Sequence, residues 1–443
     1  MDWQSLSAGM PRDPDLPERA FRIAALTRVL EGRQYDHIAT PFSEELSAGG
    51  QYVPLSERRP SVRSNLCRTV VDDSVSLLFS EGHFPTIRAD DERTTEALAA
   101  LVKDRRLNEL LTDAATKGSV GSVAIHFAVL RGRPFFRVMT TTYLTPEWDA
   151  MDPDSLVRVT ERYKVPAADL AAQGYNVDPQ GGMHWFMRTW DAGAETWFLP
   201  WPCAKKDHIP QVDTARTVVH GLGFVPIAWV RNLPGGESSC DGACTFEAAI
   251  STVTDMDYLL SQAGRALKYA ADPRLVIKTP SGEGADRPLT GGAANAIVIA
   301  SDGDAKFLEI NGTAAGAMLD HVKALRATAL EAVHGVRADA DKLSAATSGR
   351  ALEMLHQPLL WVADKLRTSY GEGGLLSLLR MVCAASCCVR GGLTIAGKSY
   401  TDLSDAGLTL IWPRWFAPTA EDRQADATTA KTLTESGILS RET

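Results

Sequence analysis

CTFEAAISTVTDMDYLLSQAGRALKYAA, residues 244–271, is the stretch on which the reading of this chain turns. Ile250, Val253, Leu260, Ala263, Leu267 and Ala270 keep one stripe apolar along most of its 28 residues, the pattern of a helix ~42 Å long packed along one side. Leu233, Pro234, Gly235, Gly236 and Glu237 break the chain before it, and Asp241 is placed to cap its start. Beyond it lies a short β-rich insert. Leu275, Val276 and Ile277 read as one strand, 296–300 as a second and 306–310 as a third, the last two turned into a hairpin through Asp302 and Gly303. Gly282, Gly284, Gly291 and Gly292 make 280–292 a flexible stretch between the first two strands.

A second long helix, 313–336, returns from the insert, so two struts flank a small β tip. Residues 337–348 are small or charged and have no periodicity. A helical stretch follows at 349–390, with a kink or break expected at Pro358 and at Gly371, Gly373 and Gly374. A strand at 408–412 and a helix at 419–436, ended by Gly437, complete the series.

Upstream, apolar spacing predicts helices over 17–31, 61–81 and 90–116, with a polar loop at 43–59. The texture then turns to strands. Residues 122–130 and 134–142 form a hairpin through Arg131 and Gly132. Strands at 156–165, 183–190 and 195–201 continue an antiparallel meander, turned by Asp191, Ala192, Gly193 and Ala194. The fold class is α+β.

The chain of 443 residues is 44% hydrophobic, enough for two to four folded units. Lys and Arg number 46 against 55 Asp and Glu, a formal charge of −9. A static binder of DNA or membrane normally carries a basic excess, so contact with nucleic acid has to be local or weak. Seven cysteines, an odd count, and an N-terminus without basic start or apolar core read as a reduced, cytosolic protein. The apolar stretch 375–389 is broken by Arg380 and falls short of a bilayer span.

Several motifs point to chemistry without context. GLTIAGKS, residues 392–399, satisfies the phosphate-loop pattern and makes a nucleotide-binding enzyme the main competing reading. A phosphate loop follows a buried strand and opens a helix; here the preceding segment reads as helix and a strand follows. Cys240 with Cys244, and Cys383 with Cys387 and Cys388, lack the C-x-x-C knuckles of structural zinc and read as small helix residues. The nine histidines form no H-E-x-x-H group, and no G-x-S-x-G elbow occurs. Trp185, Phe186, Trp190, Trp197, Phe198 and Trp201 alternate on strands with few basic neighbours, which reads as core or subunit contact, not a base-stacking platform. No cofactor, metal or enzymatic activity is expected.

The order of parts resembles the portal, or head-to-tail connector, proteins of tailed bacteriophages. Asn65-Leu66-Cys67-Arg68-Thr69-Val70-Val71-Asp72, followed by Leu78, Phe79 and Glu81, looks like that family's early wing helix; Ser348-Gly349-Arg350-Ala351-Leu352 resembles the start of its long helix. SGILSRET, 436–443, looks like its C-terminal stretch, where Ser440 would cap the start of a minimal or truncated crown.

The resemblance implies a wing at 1–240, stem helices at 241–272 and 312–336, a clip at 273–311, a tunnel loop at 337–348, a long kinked helix at 349–390, and a C-terminal wing strand leading to the crown at 391–443. It implies a homo-oligomeric ring, commonly of twelve, at a capsid vertex of the virion, assembled in the host cytoplasm. Implied partners are double-stranded viral DNA in the channel, the terminase large subunit, major capsid and scaffolding proteins, and a head-completion adaptor; a non-portal ring adaptor is a further reading. Lys323, Arg326, Arg337 and Lys342 are the candidates to face DNA, and Glu283, Asp286 and Arg287 to face the packaging motor or adaptor.

Overall fold

The computed structural model describes residues 2–47, 49–80, 82–205, 207–236, 238–270, 276–279, 297–300, 312–335, 349–416 and 420–436. In chain order its principal helices are α1 (Trp3–Ala8), α2 (Glu18–Leu30), α3 (Leu66–Phe79), α4 (Glu92–Asp104), α5 (Leu107–Gly118), α6 (Ala167–Ala172), α7 (Ile250–Ala270), α8 (Gly312–Ala332), α9 (Gly349–Leu366), α10 (Ser377–Cys388) and α11 (Ala420–Glu435). A π-helical segment, Arg367–Leu376, joins α9 to α10. The strands are β1 (Thr86–Arg88), β2 (Ser122–Leu130), β3 (Arg133–Thr140), β4 (Leu144–Trp148), β5 (Leu156–Pro166), β6 (Met183–Trp190), β7 (Ala194–Trp197), β8 (Trp201–Pro202), β9 (Val218–Val219), β10 (Ile227–Arg231), β11 (Val276–Thr279), β12 (Ile297–Ala300), β13 (Leu393–Ile395), β14 (Lys398–Tyr400) and β15 (Thr409–Ile411). The α+β class is the one expected.

Two compact units are interleaved in sequence. One comprises Met1–Pro11, Arg28–Arg68 and Ala248–Val333; the other comprises Arg12–Thr27, Thr69–Glu247 and His334–Thr443. In the first, α7 packs along α8 and carries the groups that hold the N-terminal segments. Trp3 N donates to Ser251 Oγ at 3.0 Å, Val62 N to Ser261 Oγ at 3.0 Å, and Ser64 N to Asp257 Oδ1 at 2.9 Å. Tyr35 donates its hydroxyl to the other Asp257 oxygen at 3.0 Å. Burial pushes the Asp257 carboxyl above its ordinary range, only partly offset by hydrogen bonds from Ser64 and Tyr35. β11 and β12 pair in parallel. The predicted third strand, 306–310, and its hairpin lie outside the described residues.

The second unit holds a three-stranded sheet ordered β10-β2-β3 and a six-stranded sheet ordered β4-β5-β6-β7-β9, with β8 paired to β6. Ala124, Met139, Val159, Trp190, Ile227 and Trp229 form one core cluster across them. The β2–β3 turn takes positive φ at both central residues, Arg131 at 52° and Gly132 at 76°, the twist that matches two antiparallel strands.

Three expectations are corrected. The single helix over 90–116 is two. Leu101 and Leu107 would lie about 120° apart on one straight helix; a left-handed Arg106, φ 49°, rephases the chain so that both are fully buried. The helix predicted from residue 244 begins its α turns at Ile250, after a 3-10 turn at Glu247–Ala249, and its 21 residues span ~32 Å. Asp241 does not cap it, because its carboxylate is taken by Arg19. At Pro358, where a kink or break is expected, helix α9 continues without ending; Leu359, Leu360, Val362 and Ala363 are buried just beyond it.

The glycines lie in a wide π turn, Arg367–Leu376. A Cβ on Gly371 would lie inside the van der Waals shell of the Trp412 indole. Close approach at that point lets the segment 412–415 dock: Arg367 lies 3.1 Å from the Trp415 ring centroid and 4.8 Å from that of Trp412, and donates to Pro413 O at 3.3 Å. Gly371→Ala is therefore expected to cost about 2 kcal/mol through forced displacement of Trp412, read as a lowered urea midpoint with unchanged m-value. Helix His356–Cys388 is long and apolar enough to cross a membrane. Here that composition serves a core, since Tyr370, Leu375, Leu378, Leu379 and Val382 are fully buried in the unit.

Candidate functional site

Of the seven residues expected to meet DNA or a motor, two are described. Lys323 and Arg326 lie three apart on the exposed part of α8, so their side chains share one face. Lys323 Nζ is 3.0 Å from Asp320 Oδ1, with both side chains more than 70% exposed, a pairing worth little in water. This helix offers a sparse, partly neutralised cationic face, without the density of basic groups that holds a duplex tightly. Arg337, Lys342, Glu283, Asp286 and Arg287 lie outside the described residues.

The phosphate-loop motif is a β-hairpin. Leu393, Thr394 and Ile395 pair with Tyr400, Ser399 and Lys398, and the turn between them holds Ala396 at φ 46° and Gly397 at φ 81°. A phosphate loop needs consecutive amides converging at a helix N-terminus. Here Lys398 and Ser399 open a strand, their amides belong to ladder geometry, and the glycines serve the turn. Titration with ATP and magnesium by calorimetry is expected to give no binding heat, and Lys398→Ala to change neither stability nor assembly by a measurable amount.

Among the described residues no group of His, Cys, Asp or Glu is arranged to hold a metal ion. All seven cysteines are free; Cys383 is buried, and burial pushes its thiol up to about 12, while Cys387 and Cys388 are exposed.

Four of the six aromatics are core, while Trp197 and Phe198 are half-buried. Trp190 is fully buried, and Trp185, Phe186 and Trp201 are at most 5% exposed. The sequence reading was wrong in one respect: basic neighbours are present. Arg162 lies 4.1 Å from the Trp185 ring and 5.9 Å from the Trp201 ring, and Arg188 sits between Trp190 and Trp197 at 4.5 and 5.0 Å. Arg188 is ion-paired with Glu161 and Glu195, so its charge is spent inside the sheet. The β5–β6 register, with Glu161 opposite Arg188 and Lys164 opposite Trp185, makes these contacts. Period-two alternation shows which residues share a face of one strand, but not which strand lies opposite. Nearby His126 is pushed down to about 4 by burial and by the charge of Arg188, so it stays neutral at physiological pH.

Two buried polar clusters are the parts of this unit that sequence reading missed. Arg19 on α2 clamps Asp241 through Nε at 2.6 Å and Nη2 at 2.7 Å, and its Nη1 donates to the carbonyls of Thr141 and Leu144, both at 2.9 Å. Asn232, just after β10, donates Nδ2 to Ala243 O at 2.8 Å and Thr245 Oγ1 at 2.9 Å, while Oδ1 accepts from Tyr370 at 3.0 Å. These clusters are structural. They lock sheet, loop and π segment to one another and leave no nucleophile, base and orienting group in line.

The chain is a scaffold of long helices and antiparallel sheets held by internal clamps, and its phosphate-loop spelling folds as a hairpin. The chain belongs to the phage portal proteins: the family model described as "Phage portal protein, SPP1 Gp6-like" matches residues 17–443, nearly the whole length. That family is a structural one of the virus head. No curated protein matches the chain.

Proposed function

We propose that this chain is one subunit of a ring, commonly of twelve, set at a single capsid vertex, through whose channel double-stranded DNA is packaged and later ejected. The observation that carries the reading is the family match over 17–443, and the pairing of α7 with α8 suits a stem. On this reading 1–240 is the wing, 241–272 and 312–336 the stem, 273–311 the clip, 337–348 the tunnel loop, 349–390 the long kinked helix, and 391–443 the C-terminal strand and crown start. The clip, with Glu283, Asp286 and Arg287, receives the terminase large subunit during packaging and the head-completion adaptor afterwards. Capsid and scaffolding proteins hold the ring in the shell.

The mechanism is mechanical and electrostatic. Twelve copies at −9 each carry about −108, a wall that gains little from releasing phosphate counterions and lets the duplex slide. Lys323, Arg326, Arg337 and Lys342 supply sparse cationic rings that centre the DNA, and a separate ATPase supplies the work. Arg337→Glu or Lys342→Glu is expected to lower packaged or retained DNA severalfold with rings intact; normal packaging in both variants removes these residues from the channel. The reading is tested by native mass and electron microscopy of the purified protein. A ring with a central hole supports it, and a monomer that hydrolyses ATP refutes it.

A further inference from the structure

A groove of about 740 Å³ opens in the first unit between α7 and the segments around residues 41–43 and 59–62. Ser261, Arg265 and Lys268 stand at i, i+4 and i+7 on α7, which places them on one face. The opposite wall is pinned at several points. Val62 N donates to Ser261 Oγ at 3.0 Å, Tyr258 donates its hydroxyl to Ser56 O at 3.1 Å, and Arg59 N donates to Thr40 O at 2.8 Å. Phe42, 4% exposed, supplies apolar floor, and Val62, 36% exposed, an apolar rim.

The charge of this groove is one-sided. Arg59, Arg265 and Lys268 line it and no carboxylate does, in a chain whose net charge is −9. Arg265 is ion-paired with Glu45, a half-exposed residue of the neighbouring loop, so the groove already takes one carboxylate from an irregular segment of chain. Arg59 and Lys268 have no ion-pair partner among the described residues.

We propose that this groove is a docking site for an extended acidic segment of a partner protein. Residues i and i+2 of an extended peptide lie roughly 6.6 Å apart on one face, close to the 5–6 Å between Cβ atoms three or four apart on a helix. A segment with carboxylates at alternate positions thus sets them on Arg265 and Lys268, and a small apolar residue between them meets Val62. The groove is formed by the first unit alone.

The test is fluorescence anisotropy with a labelled ten-residue peptide of alternating Glu and Ala, titrated with the full-length protein in 50 mM salt. Binding is expected, weakened about five- to tenfold by Arg59→Ala or by Lys268→Ala, and weakened again by raising the salt. Far-ultraviolet circular dichroism verifies that each variant is folded. Absence of binding, or binding indifferent to Arg59 and Lys268, overturns the proposal. Tighter binding of a ten-nucleotide oligothymidylate than of the peptide also overturns it and makes the groove a single-strand site.

Discussion

Asn232→Ala is expected to destabilise the second unit by about 3–5 kcal/mol. Asn232 is 1% exposed, and Tyr370, the donor to its Oδ1, is fully buried. Its Nδ2 serves Ala243 O, Thr245 Oγ1 and, at 3.3 Å, Ser119 O. Truncation strands the Tyr370 hydroxyl and removes donors from the carbonyls, at about 1–3 kcal/mol for each buried group left without a partner. Water cannot readily repair the gap: the loop crosses itself there, with Asn232 N donating to Gly121 O at 2.9 Å and Gly242 N to the same oxygen at 2.8 Å.

Asn232→Asp should fare no better, since it keeps an acceptor for Tyr370 but sets a buried carboxylate against carbonyl oxygens. Tyr370→Phe, which removes one partner and leaves the amide donors satisfied, should cost about 1–2 kcal/mol. The double variant is expected to fall short of the sum, because the two share a bond. Urea unfolding followed by tryptophan fluorescence measures all of these. A loss below about 1 kcal/mol for Asn232→Ala would show that the hub is not holding the π segment.

Arg19→Ala is the second large effect, at about 3–5 kcal/mol near neutral pH. All five guanidinium protons of Arg19 are used: on both Asp241 oxygens, on Thr141 O and Leu144 O, and on Ser122 Oγ at 3.3 Å. Removal leaves the Asp241 carboxylate, 9% exposed, with only hydroxyl donors from Ser122 and Ser238. Arg19→Lys should rescue little, because an ammonium cannot bridge two carboxylate oxygens and two carbonyls at once.

Acid separates this clamp from simple packing loss. Burial pushes the Asp241 carboxyl up, but hydrogen bonds from Arg19 and Ser122 and the charge of Arg19 outweigh it, and the net shift is down. A depressed folded value means the contribution is complete above the unfolded carboxylate value near 4 and is lost as pH falls through the lower folded one. Without Arg19 burial prevails, the carboxyl takes up its proton more easily, and acid relieves the buried charge. The deficit of Arg19→Ala should therefore be larger at pH 7 than at pH 4. A deficit independent of pH would assign Arg19 a packing role through its contact with the Trp229 ring, 5.5 Å away.

Much of the scaffold was legible because its signals are local. The Arg131-Gly132 turn, strand Met183–Trp190 and helix Gly312–Ala332 each follow from residues within a few positions of one another. The same reading misjudged Asp241, assigned as a helix cap on the strength of neighbours three to six residues ahead, because its true partner is 222 residues upstream. The phosphate-loop spelling at 392–399 was discounted from context, and its hairpin form turns on two positive φ angles that the letters permit without requiring.

The sequence by itself determined the α+β class, most element positions, the acidic balance and the order of parts that marks a portal protein. These depend on hydrophobic period and turn chemistry, which are properties of short windows. Only the tertiary structure decided how those elements group into two interleaved units, that Asn232 and Arg19 are the polar clamps of one, and that Arg59, Arg265 and Lys268 line a common groove in the other. The reason is physical. A buried polar group must be satisfied by whichever donor or acceptor the fold brings within about 3 Å, and that partner carries no mark in the chain around it.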